Sequence, residues 1–252
     1  MSNPVFPLEI RARIYTFLDD PQLSLHISEV FWAIAPTYFR NLTVGRMIGF
    51  VNPTPQTQLV ERYPDSGCFV ERLVIAPDFN SVKILSEFLK RFPTRRKLKH
   101  VTLVYFNDFG YFFTLRRLKY ANDLEKVLQT SPGLTRLSFH HFQPSPVLIS
   151  ACADRLTRLD IGHIHTNSGG LSIPLTPRLQ ILSFTCRAVP FFTGTPPNTL
   201  KVLILKDDEL RGSGLTDECE MFIARCSSVR RIGVVDDCKF LLFISSKLLN
   251  VL

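Results

Sequence analysis

Four of the six histidines fall in two nearby stretches, His140-His141 and the "GHIH" of residues 162–165. Imidazoles gathered in this way could hold a metal ion or carry protons. His163 and His165 would share one face of an extended strand, being two residues apart. A zinc site, however, needs three or four ligands with hydrogen-bonding support behind them, and no Asp, Glu or Cys recurs at a fitting distance. No metal and no cofactor are therefore expected. The six cysteines (Cys68, Cys152, Cys186, Cys219, Cys226 and Cys238) include no C-x-x-C pair, which argues against a zinc knuckle or a disulfide framework. Cys152, Cys186 and Cys226 stand beside apolar residues, as buried and inert thiols do.

Nucleophile and phosphate motifs are missing as well. The chain contains no G-x-S-x-G, no glycine-rich phosphate loop and no H-E-x-x-H. "GSG" at 212–214 reads as a turn before a helix capped by Thr216. No catalytic residues are expected, and a binding protein rather than an enzyme is indicated.

The net charge of +8 is unevenly placed. Residues 91–119 carry Arg91, Arg95, Arg96, Lys97, Lys99, Arg116, Arg117 and Lys119 against the single acid Asp108. Tyr105, Phe106, Phe109, Tyr111 and Phe112 are interleaved with them. This pattern is open to two readings, a solvated basic face or a nucleic-acid footprint with stacking aromatics.

What positions these residues is a repeat. The pattern L-x-x-L-x-L, with apolar swaps, appears as "VERLVI" from Val70, "LKHVTL" from Leu98, "LTRLSF" from Leu134 and "LTRLDI" from Leu156. It continues as "LQILSF" from Leu179, "LKVLIL" from Leu200 and "VRRIGV" from Val229. The starts lie 28, 36, 22, 23, 21 and 29 residues apart. In each copy the last two apolar residues alternate along a short strand and point inward, and the first turns in just before it. One copy cannot bury that face alone, so successive strands should stack as a parallel sheet, each pairing only with the next. Long connectors read as helices: "SVKILSEFLKRF" gathers Val82, Leu85, Phe88, Leu89 and Phe92 on one face, "ANDLEKVLQTSPG" gathers Leu124, Val127 and Leu128, and "TDECEMFIARC" opens on an N-cap and an acidic first turn. Short connectors such as "PLTPR" and "PFFTGTPPN" are proline-rich and expected to be non-helical. The apolar end "KFLLFISSKLLNVL" reads as a capping helix or as the start of a continuation.

This repeat resembles the leucine-rich-repeat family in an irregular form, since Phe106, Phe142, Ile164 and Arg187 occupy places where a regular asparagine would end the strand motif. The resemblance implies an α/β solenoid of short parallel strands over residues 45–252. Positions 3, 5 and 7 of each copy then face outward. The first outward column runs Arg72, His100, Arg136, Arg158, Ile181, Val202, Arg231, the second Val74, Thr102, Ser138, Asp160, Ser183, Ile204, Gly233, and the third Ala76, Val104, His140, Gly162, Thr185, Lys206, Val235. Arg136, His140 and Arg158 form a basic centre beside an apolar strip of Ile181, Val202 and Ile204. Such a face suits a peptide with an acidic or phosphorylated group next to a hydrophobic anchor. Ordinary solvated strand residues would give the same columns.

Ahead of the repeats, "FPLEIRARIYTFLDD" places Ile10, Ile14, Phe17 and Leu18 on one helical face, with Pro7 suited to the first turn and Asp19-Asp20-Pro21 as a stop. Together with Trp32 and "TYFRNLTV", this stretch is similar to the F-box of fungal proteins across residues 5–44. Between Asp20 and Phe39 the chain is about one helical turn shorter than the usual pattern, and the customary Val-Cys-x-x-Trp reads Glu29-Val30-Phe31-Trp32. The resemblance implies that Pro7, Leu8, Ile10, Ile14, Leu18 and Trp32 dock in the groove of a Skp-type adaptor. It further implies a substrate-recognition subunit of a cullin–RING ubiquitin ligase, whose repeats hold an unidentified target protein. Helices that merely cap the array, in a free-standing repeat scaffold, remain the alternative. With 45% hydrophobic residues, no signal-peptide build and no apolar run of membrane-spanning length, the sequence reads as that of a soluble protein of cytoplasm or nucleus with no membrane partner.

Overall fold

A computed structural model describes residues 39–45, 64–76, 82–91, 97–104, 121–162, 164, 171–207, 215–236 and 239–245. Its centre is one sheet of nine strands. Eight run parallel: β1 (Asn41–Gly45), β2 (Arg72–Ala76), β3 (His100–Val104), β4 (Arg136–His140), β5 (Arg158–Ile161), β7 (Ile181–Phe184), β9 (Val202–Asp207) and β10 (Arg231–Asp236). They lie in chain order, so each strand bonds only to its sequence neighbours in the sheet. A ninth strand, β11 (Lys239–Ser245), closes the C-terminal edge antiparallel to β10, with a register shift between Gly233 and Val234. Two short strands, β6 (Ile173–Pro174) and β8 (Phe192–Thr193), pair with each other within the connectors.

The seven motif copies are the seven strands β2, β3, β4, β5, β7, β9 and β10. Every apolar motif residue is buried except Val234, which is half-buried. The leading residues Val70, Leu98, Leu134, Leu156, Leu179, Leu200 and Val229 are in the core along with the inward pairs such as Leu137/Phe139 and Leu159/Ile161. Directly before each strand the backbone ladder has already begun: Glu71 N–H donates to Arg40 O, Lys99 to Glu71, Thr135 to Lys99, Thr157 to Thr135, Gln180 to Thr157, Lys201 to Gln180 and Arg230 to Lys201. Each unit therefore satisfies the backbone donors of the next, which is why single copies are not self-sufficient.

Helices cover the inward side and share that one core. Helix α1 (Val82–Arg91) buries Phe88 and Leu89, and α2 (Ala121–Thr130) buries Leu124, Val127 and Leu128. Helix α4 (Asp217–Arg225) has Thr216 as N-cap, its hydroxyl accepting from the Cys219 N–H at 3.3 Å, and acids Asp217, Glu218 and Glu220 in its first turn. These acids oppose the positive end of the helix dipole. Arg155 ties two connectors together by donating to the carbonyls of Ser131, Leu128 and Gln129 near the C-terminal end of α2.

Three expectations are corrected. Residues 41–44 are strand rather than part of a helical segment: Phe39, Leu42 and Val44 are buried in the common core, so "FRNLTV" is an eighth copy of the motif. The 22-residue spacing between β4 and β5 holds a short helix, α3 (Pro146–Ser150), started by Pro146 and capped by the Ser145 hydroxyl. Of the two readings of the C-terminal apolar run, the capping helix is overturned over Lys239–Ser245, which form a strand. The proline-rich connectors contain no α-helix, although Cys186–Phe191 winds into a 3-10 turn. The remainder of the segment expected to be helical, residues 5–38, lies outside the described residues.

Candidate functional site

The sheet register places the outward side chains in the columns the motif alignment gives. Arg72 pairs with His100, His100 with Arg136, Arg136 with Arg158, Arg158 with Ile181, Ile181 with Val202 and Val202 with Arg231. The basic centre and the apolar strip are thus adjoining strands of one face. Ile181, Val202 and Ile204 are partly exposed there.

At the centre stands Asp160, whose side chain is 2% exposed. A buried carboxylate is costly unless it is paired and hydrogen-bonded, and this one is saturated. It accepts from Arg136 Nε at 2.7 Å, from Ser138 Oγ at 2.9 Å and from Arg158 Nε at 3.1 Å and 3.2 Å. Burial raises its pKa, but Arg158, Arg136, Lys206 and the Ser138 hydrogen bond together outweigh burial and bring it below the ordinary carboxyl value. The arginine side chains remain 36% and 31% exposed, so each guanidinium joins the buried acid to the surface.

The network continues through His100. Its Nε2 lies 2.9 Å from both Ser138 Oγ and Thr102 Oγ1. Because the carboxylate can only accept, the Ser138 proton points at Asp160, and Ser138 Oγ is left to accept from His100 Nε2–H. This ordering runs from imidazole to hydroxyl to carboxylate. In this ordering His100 donates to Ser138 Oγ instead of accepting its proton, the reverse of the imidazole's role beside an activated serine. Burial, then Arg136 and Arg72, push His100 down to about 3, with Asp160 opposing. His140 is pushed down to about 4 by burial and then by Lys206, again against Asp160. Both rings are neutral at pH 7.

In the third column Gly162 allows β5 to approach β4. Its N–H donates to Phe139 O at 2.6 Å, and a Cβ there would lie 3.0 Å from the same oxygen and 3.2 Å from the His140 Cα. Thr102, Ser138, Asp160 and Ser183 of the second column are buried, which their outward direction did not reveal. The centre is therefore a packed polar network with two arginines at its rim, not an open row of solvated side chains.

The remaining candidates divide simply. His141 is exposed, while His163 and His165 lie outside the described residues. Among the described residues no group of three or more His, Cys, Asp or Glu could hold a metal ion. Of the basic stretch, Lys97 stands 5.8 Å over the Phe69 ring and Lys99 pairs with Glu71 at 3.0 Å, and most of the rest lies outside the described residues, as do Pro7, Leu8, Ile10, Ile14, Leu18 and Trp32. No described helix is long and apolar enough to cross a membrane. Cys152 and Cys226 are buried, and burial pushes their thiols up to about 12 and about 11. Cys186 departs from the expected burial and is partly exposed.

These features define an α/β protein with a sequentially ordered parallel sheet and a polar-to-apolar outward face. No protein-family model matches the chain, and no curated protein matches it.

Proposed function

We propose that the chain is a leucine-rich-repeat solenoid that recognises a target protein on its outward strand face and serves as the substrate-recognition subunit of a cullin–RING ubiquitin ligase. One observation carries the target-binding half: the register sets the Arg136–Asp160–Arg158 centre directly beside the Ile181, Val202 and Ile204 strip. A buried carboxylate fixes both guanidinium groups by their Nε atoms, and preorganised arginines bind carboxylate or phosphate better than free ones. An extended target segment with an acidic or phosphorylated residue a few positions from an apolar anchor would satisfy both zones. The protein itself performs no chemistry in this reading. The adaptor half rests on the F-box resemblance of residues 5–44.

Co-expression with a Skp-type adaptor tests the assignment. The reading expects a complex that co-elutes in gel filtration and is lost in Ile10→Asp with Ile14→Asp while the repeats stay folded. A folded protein that never co-elutes with the adaptor would leave the free-standing scaffold, which the participation of Phe39, Leu42 and Val44 in the repeat core also favours. On the target side, Val202→Ser with Ile204→Ser is the cleaner probe. Reversing Arg136 and Arg158 would set two more acids against Asp160 and unfold the face before binding could be read.

A further inference from the structure

We propose that Cys186 and Cys219 are an oxidation site, a thiol pair that closes to a disulfide and staples the connector after β7 to helix α4. Their sulfurs are 3.3 Å apart although they are 33 residues apart in sequence. A disulfide needs about 2.0 Å, so little more than about 1.3 Å of approach separates the reduced pair from the bond. The elements that carry them are already packed. Cys186 opens the 3-10 turn Cys186–Phe191 and Cys219 sits in the first turn of α4, two elements in contact with each other, and rings of β7, β8 and α4 pack together as well: Phe184–Phe192 at 5.3 Å, Phe184–Phe222 at 5.5 Å and Phe192–Phe222 at 5.1 Å.

The two thiols differ in access, which orders the chemistry. Cys186 is partly exposed and Cys219 is fully buried. The Cys219 thiol is held above the ordinary range, first by its hydrogen bond with Cys186 and then by burial. Cys186 is therefore the sulfur that meets an oxidant of the peroxide class. Its thiolate attacks one peroxide oxygen, the O–O bond breaks, and the departing hydroxide takes the thiol proton to leave water and a Cys186 sulfenic acid. Forming that acid removes the Cys186 thiol that chiefly raises Cys219. The Cys219 sulfur then attacks the Cys186 sulfur, the S–S bond forms, the S–O bond breaks, and a second water leaves with the Cys219 proton. Two thiols lose two electrons and one peroxide becomes two waters. Cys152 and Cys226 are poorer partners, since their thiols donate to the helical carbonyls of Leu148 and Phe222.

This inference is independent of any adaptor or target. The test uses the whole purified chain, folded, with one equivalent of hydrogen peroxide. Peptide mapping by mass spectrometry without reduction should show a Cys186–Cys219 link and an intact mass lower by two hydrogens. The thermal midpoint should rise by about 5 °C or more and return on adding a dithiol. Cys186→Ser, a change at a partly exposed position, should remove both the link and the rise. A sulfinic acid at Cys186 without a link, a link from Cys186 to another cysteine, or a link that forms only in denaturant would each overturn the proposal.

Discussion

The outward faces of β3–β5 and of β7–β10 back onto one continuous apolar core yet are built on different principles. In the first, Thr102, Ser138 and Asp160 are buried and saturated by His100, Arg136 and Arg158. In the second, Ile181, Val202 and Ile204 stand half-covered. Strand alternation decides only which way a side chain points; its neighbours across the ladder decide whether it is wet. A polar network that specifies one geometry sits beside a surface able to accept varied apolar contacts. In the proposed recognition role the first would serve as a fixed electrostatic reference and the second as an adaptable anchor site.

The comparison is broken most severely on β5, where Leu159 and Asp160 are consecutive and face opposite sides. Leu159→Asp places an unpaired carboxylate in the shared core and should cost more than about 5 kcal/mol, unfolding at least the central units. Urea denaturation should show no wild-type-like transition. Asp160→Ala is expected to cost less, about 3 kcal/mol, because Arg136 and Arg158 can turn to water once the acid is gone, while the buried Ser138 hydroxyl loses its acceptor. Asp160→Asn, which keeps acceptor and shape, should fall between Asp160→Ala and wild type. If Asp160→Ala melted like the wild type, the network would be ornamental to stability.

Acid should sharpen the same contrast. His100 and His140 titrate near 3 and 4 in the folded chain against an ordinary 6.5. Between pH 6.5 and about 4 the unfolded state therefore binds protons that the folded state refuses. The histidines' contribution is complete above pH 6.5 and falls as pH drops, by up to about 1.4 kcal/mol per pH unit for the buried His100 and by less for the half-buried His140. Asp160, whose folded pKa is also lowered, adds its own loss only below the ordinary carboxyl value of 3.8. His100→Gln should flatten the stability curve between pH 6.5 and 4 by about one histidine's slope, and chemical denaturation at several pH values reads this directly.

Much of the fold was legible because the motif encodes both strand and register. Seven strands and three outward columns follow from Leu and its apolar substitutes at fixed offsets. The eighth strand carried the same signal, since Phe39, Leu42 and Val44 have the motif spacing, but a helical reading of residues 5–44 absorbed it. The run 239–245 was ambiguous for a physical reason: unbroken apolar residues suit a buried helix as well as a strand. At the site, Asp160 beside the Arg136–Arg158 register pair was visible as charge, whereas its depth was not. Burial of an outward residue depends on side chains from other strands, and no single copy of the repeat contains them. Cys186 and Cys219 illustrate the same limit, because nothing local connects residues in different connectors.

The smallest expected effect concerns a single methyl group. Gly162→Ala would bring a Cβ to 3.0 Å from Phe139 O and 3.2 Å from the His140 Cα, and both are backbone atoms of β4 that cannot swing aside. The strands must part by a few tenths of an ångström, weakening the Gly162 N–H bond to Phe139. Overpacking of this kind costs about 1–3 kcal/mol, and the lower end applies because the strain falls at the end of β5. Gly233→Ala is the matched control on the apolar side, since a Cβ there meets nothing within 4 Å. It should leave the unfolding free energy within about 0.5 kcal/mol of wild type. Equal losses at both glycines would mean that β4 and β5 approach no more closely than β9 and β10, and the tight polar centre would lose its structural basis.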